Sequence, residues 1–528
     1  MFQYWKFLWR SYTGLIVMIA VFLVLQLALV WSGGQAKIFN SPDAAVNYHF
    51  TVQLATGGSL GWPAYQSEAK DYIAPRSTRV IGDQIVPVTF LGLISIYASL
   101  AHLFSLAVIP YLTVLFATFG LIYYYCLIKR VFNDRIAWWS TLLLISHPVW
   151  WYYTEHSLLP NVLFMSLALM AIYYWYLISQ RTRTMDFFLA GLLTAAALFV
   201  RSSEIVWVAA LLVFYLLLQR QTVFWSKLAW SVVGALPITI VVLLNSWDVF
   251  AGDLTAGYNL AALSSSANSQ PWWQWLLPFG FDLKQLMKVA ANYLVVLVLP
   301  FTILSAAGLL TLRKRFNKAK HNYYVGGWFC LTVYLLVYYG SWQITDSLSG
   351  QPFSLANSYS RYLLPIYVFA LPFAAWFILS ISQDLLPKWR RWLLNFVIIC
   401  LVLFSVKLTV FEPWDGWLAE RQNLAIYEKT QAKVLEVTAG QGVVLTATGD
   451  KYLWPAQAVI VPRGDDGNWR AASLLLVEGR AVYYLNPSLG FDEEQQLDEQ
   501  WQPYNLKLGQ KYFDEAGLAF YQVVAAND

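Results

Sequence analysis

Long apolar segments recur along most of the sequence and limit the folds that it can adopt. A bilayer core about 30 Å thick is crossed by a helix of about 20 apolar residues, and eleven stretches of the sequence fit that requirement. The predicted spans are residues 12–31, 107–128, 137–153, 161–179, 186–200, 205–219, 229–246, 291–312, 322–341, 362–382 and 392–411. Only 12% of the residues are charged, about half the share of soluble proteins. The sequence therefore predicts a polytopic α-helical membrane protein and excludes a soluble globular one.

The charges between the spans predict the orientation, because short cytoplasmic loops collect Lys and Arg. With the N-terminus inside, the inner segments hold 17 basic and three acidic residues. A twelfth apolar run, Val86–Phe104, would move 15 of those 17 bases outside if it also crossed the membrane. We expect this run to be a helix at the outer membrane surface. An odd number of spans then places the C-terminus outside.

The composition changes abruptly after the last span. Residues 412–528 contain 17 acidic and nine basic residues and ordinary turn residues. We predict a membrane domain over 1–411, with a first outer loop over 32–106, and a soluble α/β domain over 412–528 on the outer side. Apolar periodicity predicts helices at Trp417–Val437 and Asn468–Val477 and strands at Val443–Thr448, Ala458–Val461 and Ala481–Leu485.

The spans themselves are almost free of ionisable side chains. Transporters and proton pumps place such groups at mid-membrane depth along a pathway, so the pattern favours a site at the outer surface. Two other classes stay open at this point. One is a transporter or flippase for a lipid-linked or polar solute, and the other is a membrane scaffold for the outer domain.

Three acidic or imidazole side chains stand out at the outer surface. Asp43, in Ser41-Pro42-Asp43, follows the first span closely and is either a general base or a helix N-cap. Glu155 and His156 lie in the short loop between the third and fourth spans. They form either a solvated tight turn or part of a site for a divalent cation such as Mg²⁺, Mn²⁺ or Zn²⁺.

Four arginines are candidates for binding an anion. Arg201 joins two apolar runs of about 15 residues, about 22 Å of helix, so its turn is expected below the outer surface, where Glu204 or a lipid phosphate is its partner. Arg361 begins the tenth span and either binds phosphate or extends to the interface. Arg76 and Arg79, in Pro75-Arg76-Ser77-Thr78-Arg79, are substrate-binding or simply exposed.

Taken together, these features resemble the GT-C integral-membrane glycosyltransferases over about residues 1–410. The shared features are an Asp early in a long first outer loop, an acidic residue in the next outer loop, an Arg at the tip of a short hairpin, and an Arg-Tyr-Leu-x-Pro start to a late span. Within that group the pattern is most similar to protein O-mannosyltransferases and the lipid A aminoarabinose transferase.

This resemblance implies an inverting transfer of a hexosyl or pentosyl group from a polyprenyl-phosphate sugar to a lipid, glycan or protein. By position, it implies that Asp43 is the base, Glu155 a second acidic site residue, and Arg201 and Arg361 the ligands of the donor phosphate. Protein O-mannosyltransferases carry an Asp-Glu pair in the first loop, whereas Asp43 is followed here by Ala44. We expect a prokaryotic inner-membrane enzyme with an extracytoplasmic site, in contact with the bilayer and with no nucleic-acid partner.

Overall fold

A computed structural model describes residues 2–32, 37–181, 183–217, 222–250, 277, 279–312, 319–344, 353–383, 385–462 and 466–526. The chain divides into two compact units. Unit 1 contains the described parts of Met1–Ser32, Pro110–Leu244 and Asn259–Ala419. Unit 2 contains those of Gly33–Ile109, Asn245–Tyr258 and Glu420–Asp528.

Helices make up most of the described chain. In chain order they are α1 (Phe2–Ser32), α2 (Pro42–Ala55), α3 (Leu91–Leu103), α4 (Leu112–Val131), α5 (Asp134–Ile145), α6 (Pro148–Glu155), α7 (Pro160–Ile178), α8 (Thr184–Val200), α9 (Ile205–Leu217), α10 (Thr222–Phe250), α11 (Leu283–Val289), α12 (Leu299–Leu312), α13 (Ala319–Gly340), α14 (Ser358–Tyr362), α15 (Leu364–Ser382), α16 (Pro387–Val410), α17 (Trp417–Thr438), α18 (Asp450–Leu453), α19 (Gly467–Val477) and α20 (Phe491–Trp501).

The prediction of a helical membrane protein is confirmed, but the number of spans is not. Within the described residues, six helices are long and apolar enough to cross a bilayer, or up to eight if each of two sharply bent helix pairs is one span. The bent pairs join Thr184–Val200 to Ser202–Leu217, at 116°, and Leu283–Val296 to Leu299–Thr311, at 94°. Eleven spans and their orientation therefore stay predictions.

Two apolar segments do not form continuous spanning helices: 137–153, which was predicted to span, and Val86–Phe104, which was not. The segment 137–153 is broken into α5 and α6, because Pro148 holds His147 in an extended conformation (φ −76°, ψ 124°) and begins a new helix. The apolar run Val86–Phe104 contains α3, which has 13 residues. At 1.5 Å per residue α3 is about 20 Å long, shorter than the bilayer core of about 30 Å.

In unit 1, helices α8 and α10 approach each other unusually closely. A Cβ atom on Gly191 would lie 1.8 Å from the carbonyl oxygen of Ser231, and one on Gly234 would lie 2.0 Å from that of Phe188. Only glycine permits such backbone contact, which is how small residues pack membrane helices. These two reciprocal contacts fix the packing of α8, whose C-terminal end carries Arg201.

Unit 2 contains two β-sheets. The strands are β1 (Trp62–Pro63), β2 (Thr78–Ile81), β3 (Gln84–Pro87), β4 (Val443–Leu445), β5 (Ala458–Ile460), β6 (Val482–Pro487), β7 (Leu506–Glu515) and β8 (Leu518–Ala525). The first sheet is antiparallel in the order β1-β3-β2. The second has the order β5-β4-β6-β8-β7, with β5, β4 and β6 parallel and β8 and β7 antiparallel.

Residues of the predicted first outer loop, 32–106, and of the C-terminal segment, 412–528, share one hydrophobic core in unit 2. Ala69 and Ile73 of the loop are buried with Leu445, Ile460 and Trp501 of the C-terminal segment. This grouping differs from the predicted division into 1–411 and 412–528. The reason is that the loop contributes apolar side chains to the core, and each fully buried Ile is worth about 1.5–3 kcal/mol relative to exposure.

Candidate functional site

In unit 1, the loop that begins at Glu155, the last residue of α6, and includes His156 is tied at both ends to the segment that carries Arg361. Before the loop, the hydroxyl of Tyr153 donates to the carbonyl oxygen of Leu355 at 2.6 Å. After it, Asn161 Nδ2 donates to the carbonyl oxygen of Arg361 at 3.2 Å. The structure therefore brings these three predicted site residues into one region.

The imidazole of His156 is held against the end of α6. Its Nδ1 lies 2.7 Å from the carbonyl oxygen of Tyr152, and its ring stacks on the Tyr152 ring with centroids 3.9 Å apart. A carbonyl oxygen only accepts hydrogen bonds, so Nδ1 carries the proton in this contact. The ring orientation is therefore fixed, and Nε2 is the nitrogen that remains to act as an acceptor in a neutral imidazole.

Arg201 caps the C-terminal end of α8 and is buried, with 2% of its surface exposed. Its Nη2 lies 2.7 Å from Glu204 Oε1 and donates to the hydroxyl oxygen of Tyr339 at 2.9 Å. The Tyr339 hydroxyl donates in turn to Glu204 Oε1 at 2.8 Å. Of the two partners that the sequence left open, the structure places Glu204 on Arg201.

The structure also brings Arg201 and Arg361 to the same aromatic ring. The ring centroid of Tyr362 lies 4.9 Å from Cζ of Arg201 and 5.3 Å from Cζ of Arg361, both within the range of cation–π attraction. Arg361 Nε and Nη2 donate to the hydroxyl oxygen of Ser358 at 3.1 and 2.7 Å. The two arginines are 160 positions apart in the chain, and the fold brings them to the same ring.

In unit 2, Asp43 lies in the first turn of α2 and is half-buried. The N-cap of α2 is Ser41, so Asp43 is not the helix cap. The hydroxyl of Ser77 donates to Asp43 Oδ1 at 2.5 Å. A carboxylate in the first turn is favoured by the helix dipole, and the hydrogen bond from Ser77 fixes its orientation.

The two arginines selected from the predicted first outer loop have different partners. Arg76 is bound by Asp450, whose Oδ1 lies 2.6 Å from Arg76 Nη2. Arg79 lies in β2, opposite Val86 of β3, and is half-buried. Arg76 therefore faces a carboxylate of the C-terminal segment within unit 2.

The sequence does not indicate two titratable groups of unit 2, Lys451, which is buried, and His49, which is half-buried. Burial, together with the nearby Arg76 guanidinium, lowers the pKa of Lys451 to about 8. Its Nζ donates to Asn40 Oδ1 and to the Tyr427 hydroxyl, each at 3.1 Å. Burial and the charge of Lys37 lower the pKa of His49 to about 4.

A divalent cation at Glu155 and His156 stays a prediction. Among the residues that the structure describes, no group of three or more His, Cys, Asp or Glu side chains is placed to hold a metal ion. Two ligands are fewer than the three or four that protein zinc sites use.

One family model matches part of the chain. Residues 72–247 match the family described as dolichyl-phosphate-mannose-protein mannosyltransferase, which is about one third of the chain. No curated protein matches the chain in sequence.

Solved structures share the fold over nearly the whole chain. ArnT from Cupriavidus metallidurans in the apo state has a TM-score of 0.55 at 13% identity, covering 97% of this chain and 98% of that one. ArnT from the same organism bound to undecaprenyl phosphate has a TM-score of 0.54 at 12% identity, with the same coverage. The apo oligosaccharyltransferase of Archaeoglobus fulgidus has a TM-score of 0.50 at 10% identity, covering 89% of this chain and 69% of that one.

The resemblance to GT-C glycosyltransferases that the sequence indicates is therefore confirmed. This chain is a multi-pass helical membrane protein with the fold of that superfamily.

Proposed function

We propose that this chain is an inverting glycosyltransferase that moves a hexosyl or pentosyl group from a polyprenyl-phosphate donor to an acceptor hydroxyl at the outer face of the cytoplasmic membrane. One observation carries the proposal: the guanidinium groups of Arg201 and Arg361 both lie near the ring of Tyr362. We expect this ring to lie at the outer ends of their helices. ArnT, which shares the fold, is known in complex with undecaprenyl phosphate.

In the proposed reaction, the acceptor oxygen attacks the anomeric carbon of the sugar. A carbon–oxygen bond forms on one face of the sugar while the bond to the phosphate oxygen breaks on the other, so the configuration inverts. The acceptor proton passes to the carboxylate of Asp43. The electron pair of the broken bond stays on the polyprenyl phosphate, which leaves as the product.

The arginines lower the barrier by stabilising the charge that develops on the leaving phosphate. A phosphate monoester has a second pKa near 6, so it leaves without a general acid once its charge is stabilised. The ion pair with Glu204 holds Arg201 in place, and we assign direct binding of the phosphate chiefly to Arg361. The acceptor hydroxyl is a weak nucleophile and therefore needs a base such as Asp43.

The test combines transfer with lipid binding. The full chain in lipid nanodiscs is incubated with native membranes and with undecaprenyl phosphate carrying labelled mannose, glucose or 4-amino-4-deoxyarabinose, and transfer of label to lipid, glycan or protein is measured. Asp43→Asn is expected to abolish transfer while leaving the folded yield and the binding of undecaprenyl phosphate intact. Transfer at the wild-type rate in this variant would refute the role of Asp43.

A matched pair of cation variants tests the phosphate site. Arg361→Ala is expected to weaken the binding of undecaprenyl phosphate at least tenfold, by native mass spectrometry. Lys388→Ala removes an exposed cation at the start of α16, on the predicted inner side, and is expected to bind as the wild type does. Loss of binding in Lys388→Ala alone would contradict the proposed location of the phosphate site at the outer face of the membrane.

A further inference from the structure

Asp450 in the C-terminal segment binds Arg76 of the first outer loop through three different groups. The backbone N–H of Arg76 donates to Oδ2 at 2.9 Å, Nη2 donates to Oδ1 at 2.6 Å, and Nε lies 3.1 and 3.0 Å from Oδ1 and Oδ2. The Asp450 side chain is completely buried. This carboxylate therefore fixes both the side chain and the backbone of Arg76.

The next residue, Ser77, is held in an unfavourable backbone conformation. Its φ of 62° lies in the left-handed region, which costs a residue with a side chain about 1–2 kcal/mol. Three hydrogen bonds hold the backbone around it. Arg76 N–H is bound by Asp450, the Ser77 carbonyl oxygen accepts from Val88 N–H at 2.9 Å, and Thr78 Oγ1 donates to the Pro75 carbonyl oxygen at 2.7 Å.

This conformation directs the Ser77 hydroxyl to the carboxylate of Asp43. The donor and acceptor are 2.5 Å apart, which is the distance of a strong bond to a charged acceptor. The contacts thus run without interruption from Asp450 to Arg76, from Arg76 along the backbone to Ser77, and from Ser77 to Asp43.

We propose that Asp450 is a positioning residue for Asp43 and that orienting this base, through Arg76 and Ser77, is a function of the C-terminal segment. The inference rests on the proposed function, because it gives Asp43 the role of base. It changes the role expected for Arg76, from a ligand of the donor phosphate to a link between the C-terminal segment and the base. No proton moves along these contacts, because an arginine stays protonated in proteins.

Positioning and folding are separated by a substitution that relieves the backbone while removing the hydroxyl. Glycine adopts positive φ at no steric cost, so Ser77→Gly removes the bond to Asp43 and the strain together. We expect this variant to fold at least as stably as the wild type. We also expect its kcat for transfer to fall at least tenfold, with KM for the undecaprenyl-phosphate sugar unchanged within twofold, because an unoriented base affects the chemical step.

Asp450→Asn and Asp83→Asn extend the test. Asp450→Asn keeps the size of the side chain but removes the charge that binds Arg76, and the same loss of kcat at unchanged KM is expected. Asp83→Asn breaks an ion pair with Lys70 in the same loop, in which the Asp83 side chain is 77% exposed. We expect wild-type kcat and KM for this control, because exposed pairs contribute little.

The outcomes distinguish this inference from the proposed function. If Asp43→Asn abolishes transfer and Ser77→Gly and Asp450→Asn both lose kcat at unchanged KM, the inference is supported. If Asp43→Asn abolishes transfer but Ser77→Gly, once shown to be folded, keeps the wild-type kcat, the inference is wrong and the base role stands. If Asp43→Asn keeps full transfer, the proposed function fails first.

Discussion

Arg201 and Glu204 form an ion pair of 2.7 Å in which each side chain is only 3% exposed. The pair closes the turn between α8 and α9, and Tyr339 of α13 bonds to both members. Desolvating two charges is expensive, and the surroundings offset the cost only while both partners are present. This pair therefore ties three helices of unit 1 together at the turn that presents Arg201 to Tyr362.

Removing one member of the pair is expected to destabilise the fold strongly. Arg201→Met leaves the Glu204 carboxylate buried without its cation, and we expect a loss of about 3–5 kcal/mol. The double variant Arg201→Met/Glu204→Gln is expected to recover much of that loss, because it leaves no uncompensated charge. Thermal unfolding of the detergent-solubilised protein measures both, and a double variant no more stable than the single one would contradict the account.

The ring of Tyr362 is expected to matter more than its hydroxyl. Tyr362→Phe keeps the aromatic face beside Arg201 and Arg361, whereas Tyr362→Leu removes it. A cation–π contact is worth about 0.5–2 kcal/mol, which corresponds to about 2- to 30-fold in Kd. We expect Tyr362→Leu to weaken the binding of undecaprenyl phosphate by such a factor and Tyr362→Phe to bind normally, by native mass spectrometry. Equal losses in both variants would assign the effect to the hydroxyl.

The helices of unit 1 and part of the β-structure of unit 2 could be predicted from the sequence because their signals are local. Apolar length locates the helices, and the strands β4, β5 and β6 coincide with the predicted ones. The sequence pattern does not predict the hairpin of β7 and β8. Charged residues such as Lys507 and Lys511 interrupt the alternating apolar pattern of β7. The turn of the hairpin is Ala516-Gly517, with φ of 50° and 76°, and not a typical Asn-Gly turn.

Close helix packing gives a third prediction. Gly191→Ala places a Cβ atom against the Ser231 carbonyl, so α8 and α10 must separate. We expect a clear fall in melting temperature and a loss of transfer activity, because α8 carries Arg201. Gly327→Ala in α13 is the control, since a Cβ there has no neighbour within 4 Å. It is expected to be neutral or to stabilise by up to about 1 kcal/mol, and a fall as large as that of Gly191→Ala would contradict the packing argument.

The depressed pKa of His49 predicts acid sensitivity. The pKa of His49 is about 4 in the folded chain and about 6.5 in the unfolded chain. Between these values the unfolded chain binds a proton that the folded chain does not, so stability falls as the pH drops from about 6.5 to about 4, by at most about 3 kcal/mol.

His49→Phe is expected to remove this dependence while keeping an aromatic ring beside Trp454, where the centroids are now 5.3 Å apart. Melting temperatures of the wild type and the variant, measured from pH 7 to pH 4, give the comparison. Parallel curves would show that His49 does not titrate as the structure indicates.

The candidate site could be predicted only in part, for a physical reason. Asp43, Arg201 and Arg361 each stand out in a local motif, and Tyr362 directly follows Arg361. Asp450 is 374 positions from Arg76 in the chain, and nothing local to Gly449-Asp450-Lys451 indicates which arginine its carboxylate binds. The partners of the motif residues therefore emerge only from the fold.

A structure of the chain in lipid nanodiscs with undecaprenyl phosphate would show where the donor phosphate binds. We expect density for the phosphate beside the guanidinium of Arg361, close to Tyr362, and its loss in Arg361→Ala. Phosphate density instead beside Lys388, Arg390 and Arg391, at the opposite predicted face, would contradict both the proposed orientation and the proposed mechanism.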